Sequence, residues 1–305
     1  MTLRATSKAI AERLLAQAGP AALSRRAFRR RGLVLAYHNI LPTGQAAPAD
    51  RSLHLPEAAF RTQLDLLAQH ARIVPLADVL AGKLVGEGPH VAITFDDAYR
   101  GAVTVGLPEL ARRGHPATLF VTPGCLGGGA FWWDRIGDPK AGGLPAAFRE
   151  RALTAARGRS LDVLGLAAQA GLPAHDVPAH ALPASVEELQ DAARAPGLVL
   201  GAHTWTHPNL AALHGVEFDE ELVRPLTWLH ERFERVQPWI AYPYGLLSPE
   251  AEAAVERAGY AAGFLVAGGW LPQDGWSRYR IPRLNIPAGL SEAGFIVRLA
   301  GLMGA

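Results

Sequence analysis

The chain has 305 residues, 49% hydrophobic and 19% charged, with a net charge of +2; this is enough apolar material for a substantial core under an ordinary surface, and leaves open one large α/β domain or two domains. A single cysteine, Cys125, excludes an intramolecular disulfide framework and a thiolate zinc cluster. No apolar run approaches the roughly 18 residues of a membrane span, and the early runs at 9–11 and 14–23 are broken by charged residues, Gln17 and Pro20, so no signal peptide is expected and the chain reads as cytoplasmic.

Residues 1–32 hold eight basic residues against one acidic, Glu12, a net +7 that leaves −5 for the rest. They read as a basic helical arm, either simply solvated or making peripheral contact with an anionic membrane. Within 25–31 the only aromatic is Phe28, too little for a base-stacking platform, so nucleic acid is not an expected partner.

Beyond the arm, Gly32 releases a short apolar strand over 33–38 that ends at His38. Residues 42–56 read as loop. Phe60, Leu64, Leu66 and Leu67 give 57–70 the spacing of an amphipathic helix. The run from Val91 to Phe95 is wholly apolar or β-branched, the mark of a strand buried on both faces, and it stops at two adjacent carboxylates, Asp96 and Asp97. Neighbouring strand residues point to opposite faces, so two working carboxylates side by side make sense only where the strand ends and the chain bends.

A helix over 107–113 closes at Gly114, and 117–122 is a strand ended by Pro123-Gly124. The stretch 125–184 is rich in Ala, Gly and Pro, with helical pieces near 146–156 and 161–170, and reads as an insertion over one face. Ser185 and Glu188 form a capping box. A strand over 198–202 ends at His203. A helix follows over 218–233, which Pro225 should kink or restart, and a strand over 239–242 leads into Pro243-Tyr244-Gly245. Ser248-Pro249-Glu250 opens another helix; strands over 260–266 and 279–286 and a helix over 292–302 complete the chain. Strands alternating with helices imply a parallel sheet, and at least six of them favour a closed or nearly closed barrel.

Several of these strands end in polar or conformationally special residues, which a parallel barrel would gather on one rim. His203 and His207 are four apart, a spacing that puts both rings on one side of a single helical turn. Alone such a pair is commonly an accident of surface or core. With Asp97 as third ligand it becomes two histidines and a carboxylate, a set that leaves open positions on zinc or a similar ion. Asp96 is then free to act as a base.

The set Thr94-Phe95-Asp96-Asp97, His203-Thr204-Trp205-Thr206-His207 and Tyr242-Pro243-Tyr244-Gly245, in this order, resembles the polysaccharide deacetylase (NodB-homology) family over roughly 33–286. The resemblance implies a distorted (β/α) barrel with a largely helical insertion. It implies Asp97, His203 and His207 as ligands of a divalent metal, Zn²⁺ foremost with Ni²⁺ or Co²⁺ as substitutes, Asp96 as general base, and the Tyr244 backbone N–H as oxyanion donor. Two departures stand out. Ala241 occupies the place of the family's usual third-motif arginine, and no histidine follows His230 to serve as the usual C-terminal acid. Leu35-Ala36-Tyr37-His38, however, is similar to the N-terminal motif of the permuted poly-N-acetylglucosamine deacetylases. That similarity implies His38 as the acid, with Arg283 or Arg280 in place of the arginine.

Trp132 and Trp133 offer faces for a sugar ring or anchor the insertion; with Tyr242, Pro243 and Arg283 they complete the expected substrate-binding set. The function this implies is metal-dependent N-deacetylation of an N-acetylated sugar or polysaccharide. The alternatives are an O-acetyl carbohydrate esterase of the same fold and a non-catalytic carbohydrate-binding relative. A barrel glycosidase would leave His203 and His207 unexplained.

Overall fold

A computed structural model describes Glu12 and residues 31–86, 88–138, 143–272 and 275–301. The basic arm expected over 1–32 lies outside the described residues except at Glu12, Arg31 and Gly32, and the Glu12 carboxylate accepts the Ser291 hydroxyl at 2.9 Å.

Strand β1 (Gly32–Tyr37) is buried along its whole length. It is followed by β2 (Asn39–Leu41), β3 (His54–Pro56), β4 (Arg72–Ile73), β5 (His90–Phe95), β6 (Ala117–Val121), β7 (Leu198–Ala202), β8 (Val236–Ala241), β9 (Ala262–Gly268) and β10 (Ile281–Asn285). Seven of them, in the order β1-β5-β6-β7-β8-β9-β10 and back to β1, close a parallel barrel. The two-residue β4 shares the β6 edge of β5, pairing at His90 and Val91 while β6 pairs at Thr94 and Phe95. Neither β4 nor the short helix Leu76–Leu80 was legible from periodicity, since two and five residues are too few to display a period. The expected loop over 42–56 holds β3, which pairs in parallel with β2.

The period-two alternation of buried strands divides the core. Leu33, Leu35 and Tyr37 of β1 and Val91, Ile93 and Phe95 of β5 pack outward with Phe60, Leu64 and Leu67 of helix Glu57–His70. Val34, Ala92, Phe120, Ala241, Phe264 and Ile281 fill the barrel, with Val79 of helix Leu76–Leu80 closing the lower end. Each such Val, Leu, Ile or Phe side chain contributes about 1.5–3 kcal/mol by burial. Gln63 is also buried on the helix face, because its carbonyl accepts the Tyr37 hydroxyl at 2.9 Å.

Local signals hold where they rest on hydrogen bonds. Ser185 and Glu188 cap helix Val186–Ala193 reciprocally, and Ser248 caps Pro249–Arg257. Pro225 lies in the first turn of helix Arg224–Arg232, preceded by a π-helical turn at Asp219–Val223, so the expected restart is a change of helix type. Over 125–184, helices Trp132–Ile136, Ala146–Thr154 and Ser160–Gln169 cover part of the rim. Among the described residues no helix is long and apolar enough to cross a membrane.

Candidate active site

The rim at the C-terminal ends of the strands collects the polar strand endings, and the ladder itself positions them. The backbone N–H of Asp96 donates to Tyr37 O at 3.0 Å, that of His203 to Val121 O at 2.7 Å, and that of Tyr242 to Phe264 O at 3.0 Å. Each residue is therefore the last rung of a strand pair before the chain turns away.

The chain turns sharply at the carboxylates. Asp97 and Ala98 adopt positive φ of 71° and 55°, a conformation that costs of order 1–3 kcal/mol in a residue other than glycine. This bend sends the two neighbouring side chains to different partners. Asp96 meets Arg283 in a two-pronged pair, Nη1 to Oδ1 and Nη2 to Oδ2, both at 2.7 Å. Arg283 has no exposed surface; its Nε donates to Leu265 O at 2.7 Å and its Nη1 also to Thr94 Oγ1 at 3.1 Å. It crosses the barrel from β10 above Phe120, whose ring centre lies 5.5 Å from the guanidinium carbon. Arg280 instead pairs with Glu252 at the surface. Arg283, expected among the substrate-binding residues, does not line the cavity; its donors are turned onto Asp96 and the backbone. Burial alone would raise the Asp96 carboxyl, but Arg283, with His203 and His38, brings it below its ordinary pKa.

Asp97 faces the histidine pair. Its Oδ1 lies 3.1 Å from His207 Nε2 and 3.4 Å from His203 Nε2, and the two Nε2 atoms are 3.1 Å apart. Three buried polar atoms aimed at one point cannot all be satisfied by the protons available, and Asp97 Oδ1 has no partner of hydrogen-bond geometry. A tetrahedral ion with bonds of about 2.0–2.1 Å needs ligand atoms roughly 3.3–3.4 Å apart, so this set could hold a divalent cation. His203 Nδ1 donates to Ala241 O at 2.7 Å, which turns Nε2 inward as a ligand. Burial would raise the Asp97 carboxyl, yet the two imidazoles hold it well below the carboxylate range. Burial lowers His207, whereas in His203 the neighbouring Asp96 and Asp97 outweigh burial and raise it.

The histidine spacing achieves this without the helical turn expected for it. Residues 203–209 form a loop in which Thr204 and His207 have φ of 63° and 65°. The Thr204 hydroxyl accepts the His207 N–H at 3.0 Å and closes a tight turn. Left-handed residues other than glycine are uncommon and only weakly marked by residue type, so the ring spacing was legible and the backbone was not.

A cavity of ≈ 100 Å³ opens onto this cluster, lined by His38, Asp50, Leu53, Asp96, Asp97, Trp132, Trp133, Arg149, His203, His207, Tyr242, Tyr244, Val266 and Asn285. His38 is half-buried, with its Nδ1 enclosed and unpartnered; burial of the ring lowers its pKa against the opposing pull of Asp97 and Asp96. Tyr244 sits at φ 60° and ψ 2° just after the buried Pro243. Trp132 and Trp133 are both buried and have their N–H groups engaged, with the hydroxyls of Tyr244 at 2.9 Å and Tyr99 at 2.7 Å. They anchor residues 125–184 and also wall the cavity, Trp133 lying 4.9 Å from the His207 ring. Behind Trp133, Tyr99 donates to Asp134, which pairs with His54 at 2.9 Å. Asp50, Leu53, Arg149, Val266 and Asn285 were not anticipated as cavity residues. They lie on loops, on a helix of 125–184 and on late strands, in no pattern that marks a site.

A model of a family described as polysaccharide deacetylase matches residues 83–263. Among solved structures, the chain is similar to the Streptococcus pyogenes deacetylase PplD in complex with acetate, at 17% identity and a TM-score of 0.62, covering 89% of this chain and 99% of that one. It is similar to IcaB from Ammonifex degensii at 21% identity and a TM-score of 0.59, with 89% and 96% covered. A de-N-acetylase from Aggregatibacter actinomycetemcomitans gives 14% identity and a TM-score of 0.59, with 88% and 100% covered. At such identities the likeness is one of fold. No curated protein sequence matches the chain.

Proposed function

Because the chain belongs to the polysaccharide deacetylase family, we propose that it is a divalent-metal-dependent hydrolase that removes N-acetyl groups from an N-acetylated sugar or polysaccharide. The observation that carries this reading is the division of labour between two adjacent carboxylates: Asp97 converges with His203 and His207, while Asp96 is held apart by Arg283. Zn²⁺ is the foremost ion for two imidazoles and a carboxylate, with Ni²⁺ or Co²⁺ able to replace it. Bound there, the ion would polarise the acetyl carbonyl and lower the pKa of water toward about 7.

The rest is work for the chain's own groups. Asp96, kept ionised by Arg283, accepts the proton of the attacking water as general base. The Tyr244 N–H, presented by the left-handed turn after Pro243, donates to the developing oxyanion, and such donors are worth about 2.7–4 kcal/mol. His38 rests neutral because burial lowers its pKa. The proton that Asp96 takes from the water passes to His38, and His38 hands it to the amine nitrogen as the C–N bond breaks, so that both groups return to their resting forms. Trp132, Trp133 and Tyr242 enclose the sugar with their ring faces and edges. A peripheral membrane contact through the basic residues of 1–32 is part of the same proposal, suited to a substrate carried near a membrane.

Purified protein loaded with Zn²⁺ should release acetate from N-acetylated sugar oligomers, and excess chelator should stop it. Release undiminished in chelator, or none from the loaded protein, would refute the reading. His38→Ala should lower the rate on an amide substrate by about 10²–10⁴-fold and on an acetyl ester far less, because an alkoxide leaves more readily than an amine. Equal losses on both substrates would remove His38 from the role of acid.

A further inference from the structure

Glu221 takes no part in the chemistry above, yet it is buried and carries three hydrogen bonds that all reach into the loop between His203 and His207. One carboxylate oxygen accepts the backbone N–H groups of Trp205 and Thr206, both at 2.9 Å, and the other accepts the Thr206 hydroxyl at 2.5 Å. Successive N–H groups converging on one anion form a nest, the arrangement by which loops elsewhere bind phosphate. Here the chain's own carboxylate fills it. The nest exists because Thr204 is left-handed, which turns the next two amides to the same side.

Glu221 itself is aimed by the π-helical turn at Asp219–Val223, and such turns cluster at functional sites. Three residues on, the Arg224 guanidinium lies 3.8 Å from the centre of the Trp205 ring. From the barrel side, the Gly124 N–H donates to Trp205 O at 2.9 Å. A Cβ at Gly124 would fall 2.5 Å from that oxygen, so only glycine permits the approach. The middle of the loop is thus gripped on one side while its two ends present imidazoles on the other.

We infer that Glu221 is a positioning residue that sets the separation of the His203 and His207 Nε2 atoms by filling the amide nest between them. The inference rests on the metal-site reading proposed above. Removing the carboxylate takes the shared acceptor from two neighbouring amides, those of half-buried Trp205 and exposed Thr206, on a loop with two strained residues, and its relaxation changes the bite of the pair. Arg224 and Gly124 still hold Trp205, so the consequence falls on the histidines rather than on the fold.

The test is calorimetric titration of the metal-free full chain with Zn²⁺, alongside the melting temperature of the same metal-free samples. Glu221→Ala should weaken Zn²⁺ binding by about 10- to 100-fold, the range for groups that orient metal ligands. Glu221→Gln should stay within about threefold of wild type, because its amide oxygen can accept both N–H groups while its NH₂ donates to Thr206. The visible spectrum of the Co²⁺-loaded protein should change in Glu221→Ala and not in Glu221→Gln, a distinction that general destabilisation does not produce. Should Glu221→Ala fail to fold, Glu221→Asp, one methylene short of the nest, takes its place with the same expectation. Zn²⁺ binding unchanged in the shortened variant, with wild type binding, overturns the role of Glu221. Wild type that binds no divalent ion overturns the metal reading instead.

Discussion

Replacing Arg283 with methionine is expected to destabilise the protein by about 3–5 kcal/mol, the cost of breaking a buried ion pair from one side. Methionine suits the space, since Phe120 and Phe264 already line that part of the barrel. What it cannot do is answer Asp96, which would be left as a carboxylate with almost no access to water. Leu265 O and Thr94 Oγ1 would lose their donors as well. Urea unfolding read by circular dichroism at neutral pH measures the loss. The double replacement Arg283→Met with Asp96→Asn should cost less than Arg283→Met alone, because it removes the orphaned charge, and such non-additivity is the signature of a coupled pair. A loss below about 1 kcal/mol for Arg283→Met would mean that the pair behaves like a solvated surface contact.

The second large effect is catalytic. Asp96→Asn should reduce acetate release by about 10²–10⁴-fold while leaving divalent-metal binding intact, since an amide keeps the shape but cannot take a proton. Asp97, His203 and His207 do not include Asp96 among their ligand atoms, so equilibrium dialysis with Zn²⁺ should give the wild-type stoichiometry. Asparagine can still accept one of the two Arg283 bonds, so the variant should remain folded for assay at moderate temperature. A rate within tenfold of wild type would remove Asp96 from the role of base.

The strand ends were legible because a doubly buried parallel strand is an apolar run, and the abrupt polar stop after Phe95 or Ala202 stands out against it. The same contrast separates Arg283 from Arg280 after the fact. Ile281, Arg283 and Asn285 alternate along β10 with Ile281 in the barrel interior, whereas Leu284 faces outward and Arg280 precedes the strand. From the chain alone the strand's start was uncertain by two residues, enough to leave both arginines as candidates. The histidine loop was misjudged as a helical turn, because four-residue spacing cannot distinguish a turn of helix from two left-handed residues bridged by a threonine. Glu221 was invisible for a different reason: a carboxylate fourteen residues beyond His207, in a helix with many charges, becomes a brace only through the π-turn that rotates it inward.

The closing pair of the barrel carries a consequence of its own. β1 meets β5 through six residue pairs but meets β10 through only two, Leu35 with Leu284 and Ala36 with Asn285, continued by the Ile286 N–H on Ala36 O. His38 stands on one lip of this seam and Arg283 on the other. The proposed proton donor, just after β1, and the brace of the proposed base, on β10, share a join of only two residue pairs. A fluctuation that parts β1 from β10 would separate both proposed groups at once, so the proposed proton transfer requires the barrel to stay closed at this join.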